Sequence, residues 1–356
     1  MASARGSASA GKAAARARRG GYPELTPAFT WTALALAVWV RAGSVVDINA
    51  HNHGFVDESF FTPFHFLMYS GVAANGLFYV LVQFRNVGRG HSLMQALPRE
   101  YLLSFAGVLL FGLGGVFDFI WHALFGVETT IDALVSPSHL LLFFSAVLFM
   151  SGPLRSYLAG DRTGRGWLQL FPALVSALLV LTTGTLITLF ANVWTQLDRY
   201  IALTGRDSLL AAETGTVTGV LVPVVLMTGV LLYLRGRMVL PFGAVTFIMV
   251  ANALIMLYIR WQWTGAHVVV LLAPLIAGLA GDWSLARSTG SSPLVMLRRF
   301  AFLVPTLMVF SLFVILQLSA TIWWNTHMWL GVSLLAGGLG LGMSALLPQR
   351  EIPSAE

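Results

Sequence analysis

Long apolar stretches separated by short polar segments dominate the chain. Each is about 20 residues long, the length that an α-helix needs to cross the hydrocarbon of a bilayer. Ten such stretches occur, at about 28 to 46, 63 to 84, 101 to 122, 137 to 154, 167 to 191, 214 to 234, 240 to 259, 267 to 286, 300 to 322 and 327 to 347. The pattern predicts an all-α, polytopic transmembrane helical bundle of about ten helices.

Composition supports this class, because 57% apolar residues, 10% charged residues and a mean hydropathy of +0.77 are not typical of a soluble domain. We expect a disordered basic tail at 1–22 and no cleaved signal peptide, since this segment lacks an apolar core. We divide the rest into a first half with helices one to four (23–158), a second transmembrane half (159–348) and a C-terminal tail (349–356).

The basic residues orient the predicted bundle. With ten spans, 17 of the 21 Lys and Arg residues fall on the side of the two termini and three on the other side, with Arg41 inside the first span. Lys and Arg of short loops stay cytoplasmic, so both termini are predicted to be cytoplasmic, in the inner membrane of a bacterium. The net charge of +6 is therefore a topology signal, and no nucleic-acid partner is expected.

A motif of acidic residues and histidines occurs twice in the first half. Each copy reads Asp-x3-His, then Gly and an acid, then [Ser/Thr]-Pro-x-His at the start of the next span. The first copy is Asp47, His51, Gly54, Asp57, Thr62, Pro63 and His65, and the second is Asp118, His122, Gly126, Glu128, Ser136, Pro137 and His139. With the predicted orientation, both copies lie on the extracytoplasmic side. We therefore expect the chemistry of the protein on that side.

The spacing within each copy indicates a metal site. Residues four apart share one face of a helix, and proline in a first helical turn fixes where the next histidine emerges. One carboxylate and two imidazoles per hairpin form a three-ligand set suited to copper, iron, zinc or manganese, with positions left open. The predicted ligands are Asp47, His51, His65, Asp118, His122 and His139, joined from the second half by His267 and His327. One shared site and two separate sites are both compatible with the pattern.

Four further acidic residues lie near the motif. Asp57 and Glu128 are candidate proton acceptors, and with Glu58 and Asp132 they are also candidate ligands or acceptors for the ring N–H groups. The duplication can alternatively be structural, with Asp capping helices and His bonding across the hairpins. The absence of cysteine from the sequence excludes thiolate and iron–sulfur sites.

The spacing Asp47-x3-His51-x13-His65 resembles the membrane copper site in the C subunit of particulate methane and ammonia monooxygenases. The likeness covers about 20 residues per copy, and the second copy has a longer gap, His122-x16-His139. The repeated hairpin also resembles uncharacterised multi-spanning bacterial membrane proteins. The first resemblance implies copper as the ion, ahead of iron or zinc, and partner membrane subunits.

The predicted site is compatible with two functions. The first is a metal-dependent oxidative membrane enzyme, or a subunit of a monooxygenase-like complex, that acts on dioxygen or a small substrate arriving from the membrane. The second is a non-catalytic protein that captures, stores or transfers an ion, or that binds haem through paired histidines. The sequence leaves open whether the protein is an enzyme, and it does not identify a substrate.

Overall fold

The structure is a computed structural model that describes residues 21–55, 61–126, 128, 130–160, 166–201, 208–260, 268–287 and 292–347. Within these residues the chain is helical and contains no strand. The helices are α1 (Pro27–Asn52), α2 (Pro63–Val87), α3 (Leu102–Phe125), α4 (Asp132–Val135), α5 (Pro137–Met150), α6 (Gly152–Ala159), α7 (Trp167–Ile187), α8 (Asp198–Ile201), α9 (Leu209–Arg235), α10 (Ala244–Ile259), α11 (Leu272–Ala286), α12 (Pro293–Ser319) and α13 (Thr326–Leu346). Short 3-10 turns lie at Leu93–Gln95, Arg99–Tyr101 and Leu189–Ala191.

Eight helical segments of the described chain are long and apolar enough to cross a membrane. Two further predicted spans correspond to α10 and α11, which have 16 and 15 residues. At 1.5 Å per residue these two helices are about 23 Å long, shorter than the hydrocarbon of a bilayer. The prediction of an all-α polytopic bundle is confirmed, and the protein is a multi-pass membrane protein.

Capping residues set several helix boundaries that the apolar pattern did not show. Helix α12 begins at Pro293, although its apolar stretch was predicted to begin near residue 300. The hydroxyl of Ser292 accepts a hydrogen bond from the backbone N–H of Val295, and Pro293 occupies the first turn. Arg298 and Arg299 in the second turn interrupt the apolar pattern, so the first two turns of α12 were not predicted.

Helix α7 lies at the centre of the bundle. It packs against α1 and α5 on the side of the first half and against α9 and α10 on the side of the second half. Two hydrophobic clusters meet at this helix, since Val175 and Leu179 belong to one cluster and Leu174 and Leu181 to the other. The first four long segments form two hairpins: α1 packs against α2, and α3 packs against α5.

The two helices of each hairpin approach closely beneath the duplicated motif. A Cβ atom placed on Gly43 of α1 would lie 2.6 Å from the Cα atom of Met68 on α2. A Cβ atom on Gly114 of α3 would lie 2.9 Å from a side-chain atom of Leu142 on α5. Small residues allow helices to pack closely in a membrane, and both glycines stand four residues before the aspartate of their motif. The duplication thus extends one helical turn beyond the motif predicted from the sequence.

Candidate metal centre

The first copy of the motif is built from the end of α1 and the beginning of α2. Helix α1 continues through Asp47 and His51, and the chain leaves the helix at Gly54, whose φ of 69° favours glycine. Helix α2 begins at Pro63, and the hydroxyl of the preceding Thr62 accepts a hydrogen bond of 3.0 Å from the backbone N–H of His65. Pro63 and the Thr62 cap therefore fix the position on α2 from which the His65 side chain projects.

In this first cluster, a single carboxylate faces two imidazoles. Asp47 Oδ2 lies 3.4 Å from His65 Nε2 and 3.9 Å from His51 Nε2. The two rings have centroids 5.6 Å apart. Asp47 is buried and its Oδ1 has no hydrogen-bond partner, whereas His51 is exposed. Asp47, His51 and His65 are called the first cluster below.

The second copy repeats this construction with α3 and α5. Helix α3 runs through Asp118 and His122 and ends before Gly126, which has a φ of 82° and whose N–H donates to the carbonyl of His122. Helix α5 begins at Pro137, after Ser136. The two motif glycines therefore end corresponding helices with the backbone conformation that glycine adopts most readily.

The second cluster, Asp118, His122 and His139, has similar geometry. Asp118 Oδ1 lies 3.5 Å from His122 Nε2 and 3.7 Å from His139 Nδ1, and the ring centroids are 5.7 Å apart. Ser138 Oγ donates a hydrogen bond of 2.7 Å to Asp118 Oδ1, and Ser136 Oγ shares one of 2.7 Å with His139 Nδ1. The bond from Ser138 holds Asp118 in place, whereas the bond with Ser136 occupies the His139 nitrogen that faces Asp118, so an ion bound by that nitrogen would replace it.

The distances within both clusters fit a shared metal ion better than direct pairing. Hydrogen bonds between nitrogen and oxygen are usually 2.7 to 3.2 Å long, whereas the aspartate–histidine distances are 3.4 to 3.9 Å. Ligands bound at about 2.1 Å to one tetrahedral ion stand about 3.4 Å apart. In each cluster the three ligand atoms lie within 4.8 Å of one another, so the described part of the chain contains two His/Asp groups able to hold a metal ion.

The orphaned Asp47 Oδ1 supports the same interpretation. A buried carboxylate oxygen without a partner is costly in a medium of low dielectric. A bound cation would compensate the charge of this carboxylate. The structural alternative has support in the second cluster, where Asp118 accepts a hydrogen bond from Ser138 at the start of α5, but not in the first, where Asp47 Oδ1 has no hydrogen-bond partner.

The two clusters lie close to each other across the contact between α2 and α3. The ring of Phe61, just before α2, lies 5.8 Å from the ring of Phe119, the residue after Asp118 on α3. Tyr69, one turn after His65, places its phenol over Gly115 of α3, where a Cβ atom would lie 2.8 Å from the phenol oxygen. The two clusters are therefore adjacent, but their ligands form two separate groups.

The other predicted site residues have different surroundings. Asp57, Glu58 and His267 lie outside the described residues. His327 is exposed in the first turn of α13 and belongs to neither cluster, so its role as a ligand stays a prediction. Asp132 is exposed and accepts hydrogen bonds from Thr130 and from the N–H of Ala133, and the bond from the Thr130 hydroxyl lowers the pKa of Asp132.

Glu128 is the remaining predicted residue, and its carboxylate reaches the second cluster. Its Oε2 lies 3.8 Å from His122 Nδ1 and 3.9 Å from His139 Nδ1, while the indole N–H of Trp121 donates to its Oε1 at 2.6 Å. The motif predicted Glu128 as a site residue, but it did not predict the contact with Trp121.

No protein-family model, no curated protein and no solved structure matches the chain. The resemblance of the motif to the monooxygenase C subunit therefore stays a prediction.

Proposed function

We propose that this protein is a membrane metalloprotein that holds transition-metal ions in its two clusters, at the extracytoplasmic ends of α1, α2, α3 and α5. The observation that supports the proposal most directly is the repeated arrangement of one buried aspartate and two histidines whose ligand atoms lie within 4.8 Å of one another. The extracytoplasmic location rests on the distribution of Lys and Arg in the sequence.

The donor atoms favour copper, then iron or zinc, as the bound ion. Imidazole nitrogens suit all three metals, and one carboxylate per cluster adds a hard anionic donor. Three protein donors leave positions open for water, dioxygen or a small substrate. A redox-active ion in such a site supplies electron-transfer or oxygen chemistry when bound, and the residues of the clusters hold it at the end of the bundle, within reach of the membrane.

An oxidative membrane enzyme, or a subunit of a monooxygenase-like complex, is the function that we favour. It agrees with the open coordination positions and with the resemblance of the motif to the monooxygenase copper site. In a complex, partner membrane subunits would cover part of the apolar surface of the bundle and deliver electrons.

Non-catalytic metal handling is the second candidate, because the clusters are accessible to solvent. The side chain of His51 is 38% exposed and that of His139 is 27% exposed, so an ion can be exchanged at either cluster. Haem binding is less well supported. In each cluster an aspartate oxygen lies within 4 Å of both imidazoles, where a macrocycle held between them would need space.

Metal analysis of the purified protein tests the proposal. We expect up to two ions per chain in the wild type, about one in His51→Ala and in His122→Ala, and none in the double variant. His91→Ala is the control, since the His91 ring bonds to the carbonyl of Gly21 away from both clusters. Full metal content in the double variant, with the bundle still folded, would contradict the assignment.

Spectroscopy of the same preparations separates the two candidate functions. A copper or iron electron paramagnetic resonance (EPR) signal that disappears on reduction and returns on exposure to dioxygen supports the oxidative function. Tightly bound zinc without any redox-active ion supports metal handling. A Soret band would show haem and overturn the bare-ion site.

A further inference from the structure

We propose that Glu128 is a fourth metal donor of the second cluster, which makes that cluster a site with two carboxylates and two histidines. This inference rests on the proposed function and adds a ligand that three-residue spacing does not identify. The sequence left Glu128 as a candidate proton acceptor or a candidate ligand, and the inference decides for the ligand role.

The first observation is the fixed position of the carboxylate. The indole N–H of Trp121 donates to Glu128 Oε1 at 2.6 Å, and Trp121 immediately precedes His122 on α3. The indole therefore holds Glu128 beside the last turn of the helix that supplies two members of the cluster. A carboxylate held in this way loses little further conformational freedom when it binds an ion.

The second observation is the other oxygen of the same carboxylate. Glu128 Oε2 is buried and has no hydrogen-bond partner. It lies 3.8 Å from His122 Nδ1 and 3.9 Å from His139 Nδ1, too far for hydrogen bonds to either ring. A buried carboxylate oxygen without a partner is unfavourable, and a cation between it and the imidazoles would compensate it.

The third observation is that both carboxylates face the same histidine nitrogen. His139 Nδ1 lies 3.7 Å from Asp118 Oδ1 and 3.9 Å from Glu128 Oε2. His122 lies between the two acids, with Nε2 toward Asp118 and Nδ1 toward Glu128 and the carbonyl of Gly126. One ion can bind only one nitrogen of His122, so the point that both carboxylates reach lies beside His139 Nδ1, where an ion would replace the hydrogen bond between that nitrogen and Ser136.

Two carboxylates change the chemistry of the site. Their two negative charges match a divalent ion, and oxygen donors favour divalent manganese, iron, zinc or copper over monovalent copper. We expect the second cluster to bind divalent ions tightly and monovalent copper poorly.

The test uses a chain in which only the second cluster can bind metal. His51→Ala and His65→Ala disable the first cluster, and this double variant serves as the parent for Glu128→Gln. The amide keeps the shape of the side chain and an oxygen for Trp121, but it removes the negative charge. Asp132→Asn is the matched control, because Asp132 is an exposed acid that makes only local hydrogen bonds.

Affinity for copper(II) and its EPR spectrum are the measurements. We expect Glu128→Gln to weaken binding by more than about tenfold and to shift the copper EPR parameters, since an anionic oxygen donor is lost. Trp121→Phe, which releases the carboxylate without removing it, should weaken binding less. Asp132→Asn should leave both affinity and spectrum equal to those of the parent.

Several outcomes would overturn the inference. Unchanged affinity in Glu128→Gln, or weaker affinity with an unchanged spectrum, would place Glu128 outside the coordination sphere while leaving the proposed function intact. Absence of metal from the wild type would overturn the proposed function and this inference together. Size-exclusion chromatography in detergent identifies a variant that loses metal because it has not folded. If Glu128→Gln is such a variant, Trp121→Phe replaces it as the test: weaker copper binding supports the inference and unchanged binding contradicts it.

Discussion

Asp47 and Asp118 differ in how their carboxylates are held. Both are buried, but Asp118 accepts a hydrogen bond from Ser138, whereas the corresponding position of the first hairpin is Phe64, which has no side-chain donor. Hydrogen bonds from such supporting residues orient a ligand and strengthen metal binding. At the scale of single residues, the two clusters are therefore similar without being equivalent.

Ser138→Ala tests this difference. Loss of the hydroxyl leaves Asp118 Oδ1 without its hydrogen bond, so we expect metal affinity at the second cluster to fall by roughly 10- to 100-fold. Competition with a chelator of known affinity measures the change. Ser145→Ala is the control on the same helix, because Ser145 is equally buried and donates only to the carbonyl of Leu141. An equal loss in both variants would show a general effect on α5.

Each hairpin is closed by a contact between a glycine and the facing helix. At Gly43 the added Cβ atom would meet backbone atoms of Met68, which can move only if α1 and α2 separate. Since α1 supplies Asp47 and α2 supplies His65, the distance between these helices sets the distance between the ligands. The geometry of the first cluster thus depends on an element contact one turn below it.

Gly43→Ala should therefore weaken metal binding by the first cluster, although Gly43 is not one of its ligands. We expect overpacking to cost about 1 to 3 kcal/mol of stability and metal content to fall toward one ion per chain, with the second cluster retained. Thermal unfolding in detergent and metal analysis measure the two effects. Gly76→Ala on α2 is the control, since its Cβ atom would meet only Val108 at 3.7 Å. Full metal content in Gly43→Ala would contradict the proposed coupling.

The molecule as a whole buries few charges within its spans, and each has an identifiable environment. Arg41 is buried between α1, α5 and α7, where its guanidinium contacts Met150 Sδ, the carbonyl of Leu179 and the hydroxyl of Thr183. Asp282 accepts hydrogen bonds from the backbone N–H groups of Val245 and Thr246 at the start of α10. These groups join helices, whereas the clusters lie at the helix ends.

Orientation in the membrane is the prediction that belongs to this scale. The chain contains no cysteine, so a single introduced thiol reports on one position. Phe55 and Met94 are 71% and 80% exposed, at opposite ends of α2. We expect a membrane-impermeant thiol reagent to label Phe55→Cys, and not Met94→Cys, in intact cells. Labelling of Met94→Cys alone would place the clusters on the cytoplasmic side.

Local patterns made most of the fold predictable. Each of the ten apolar stretches corresponds to a helix, because residues in lipid must be apolar wherever a span occurs. The pairing of Asp47 with His51, and of Asp118 with His122, followed from the four-residue period of a helix. The repeated [Ser/Thr]-Pro-x-His indicated where His65 and His139 enter, because a proline at the first turn marks a helix start.

Other features depend on contacts between distant parts of the chain. The close approach at Gly43 and Gly114 had a sequence signal, since each glycine stands four residues before its aspartate, but glycine is common in membrane helices. The contact of Glu128 with Trp121 left no such signal, because a loop of this kind has no fixed period. The position of His327 at the start of a helix was visible in the sequence. A histidine at a helix start, however, does not indicate which other helix ends lie beside it.

By itself, the sequence determined the membrane class, the positions of the apolar helices and the composition of each three-residue ligand set, because these depend on hydropathy and on residues within a few positions of one another. Only the tertiary structure decided that Asp47 meets His65 and Asp118 meets His139, that the two clusters are neighbours, and that Glu128 turns toward the second. The physical reason is that these meetings depend on how closely helices pack across glycines and on which hairpins lie side by side. Such contacts join residues that are far apart along the chain.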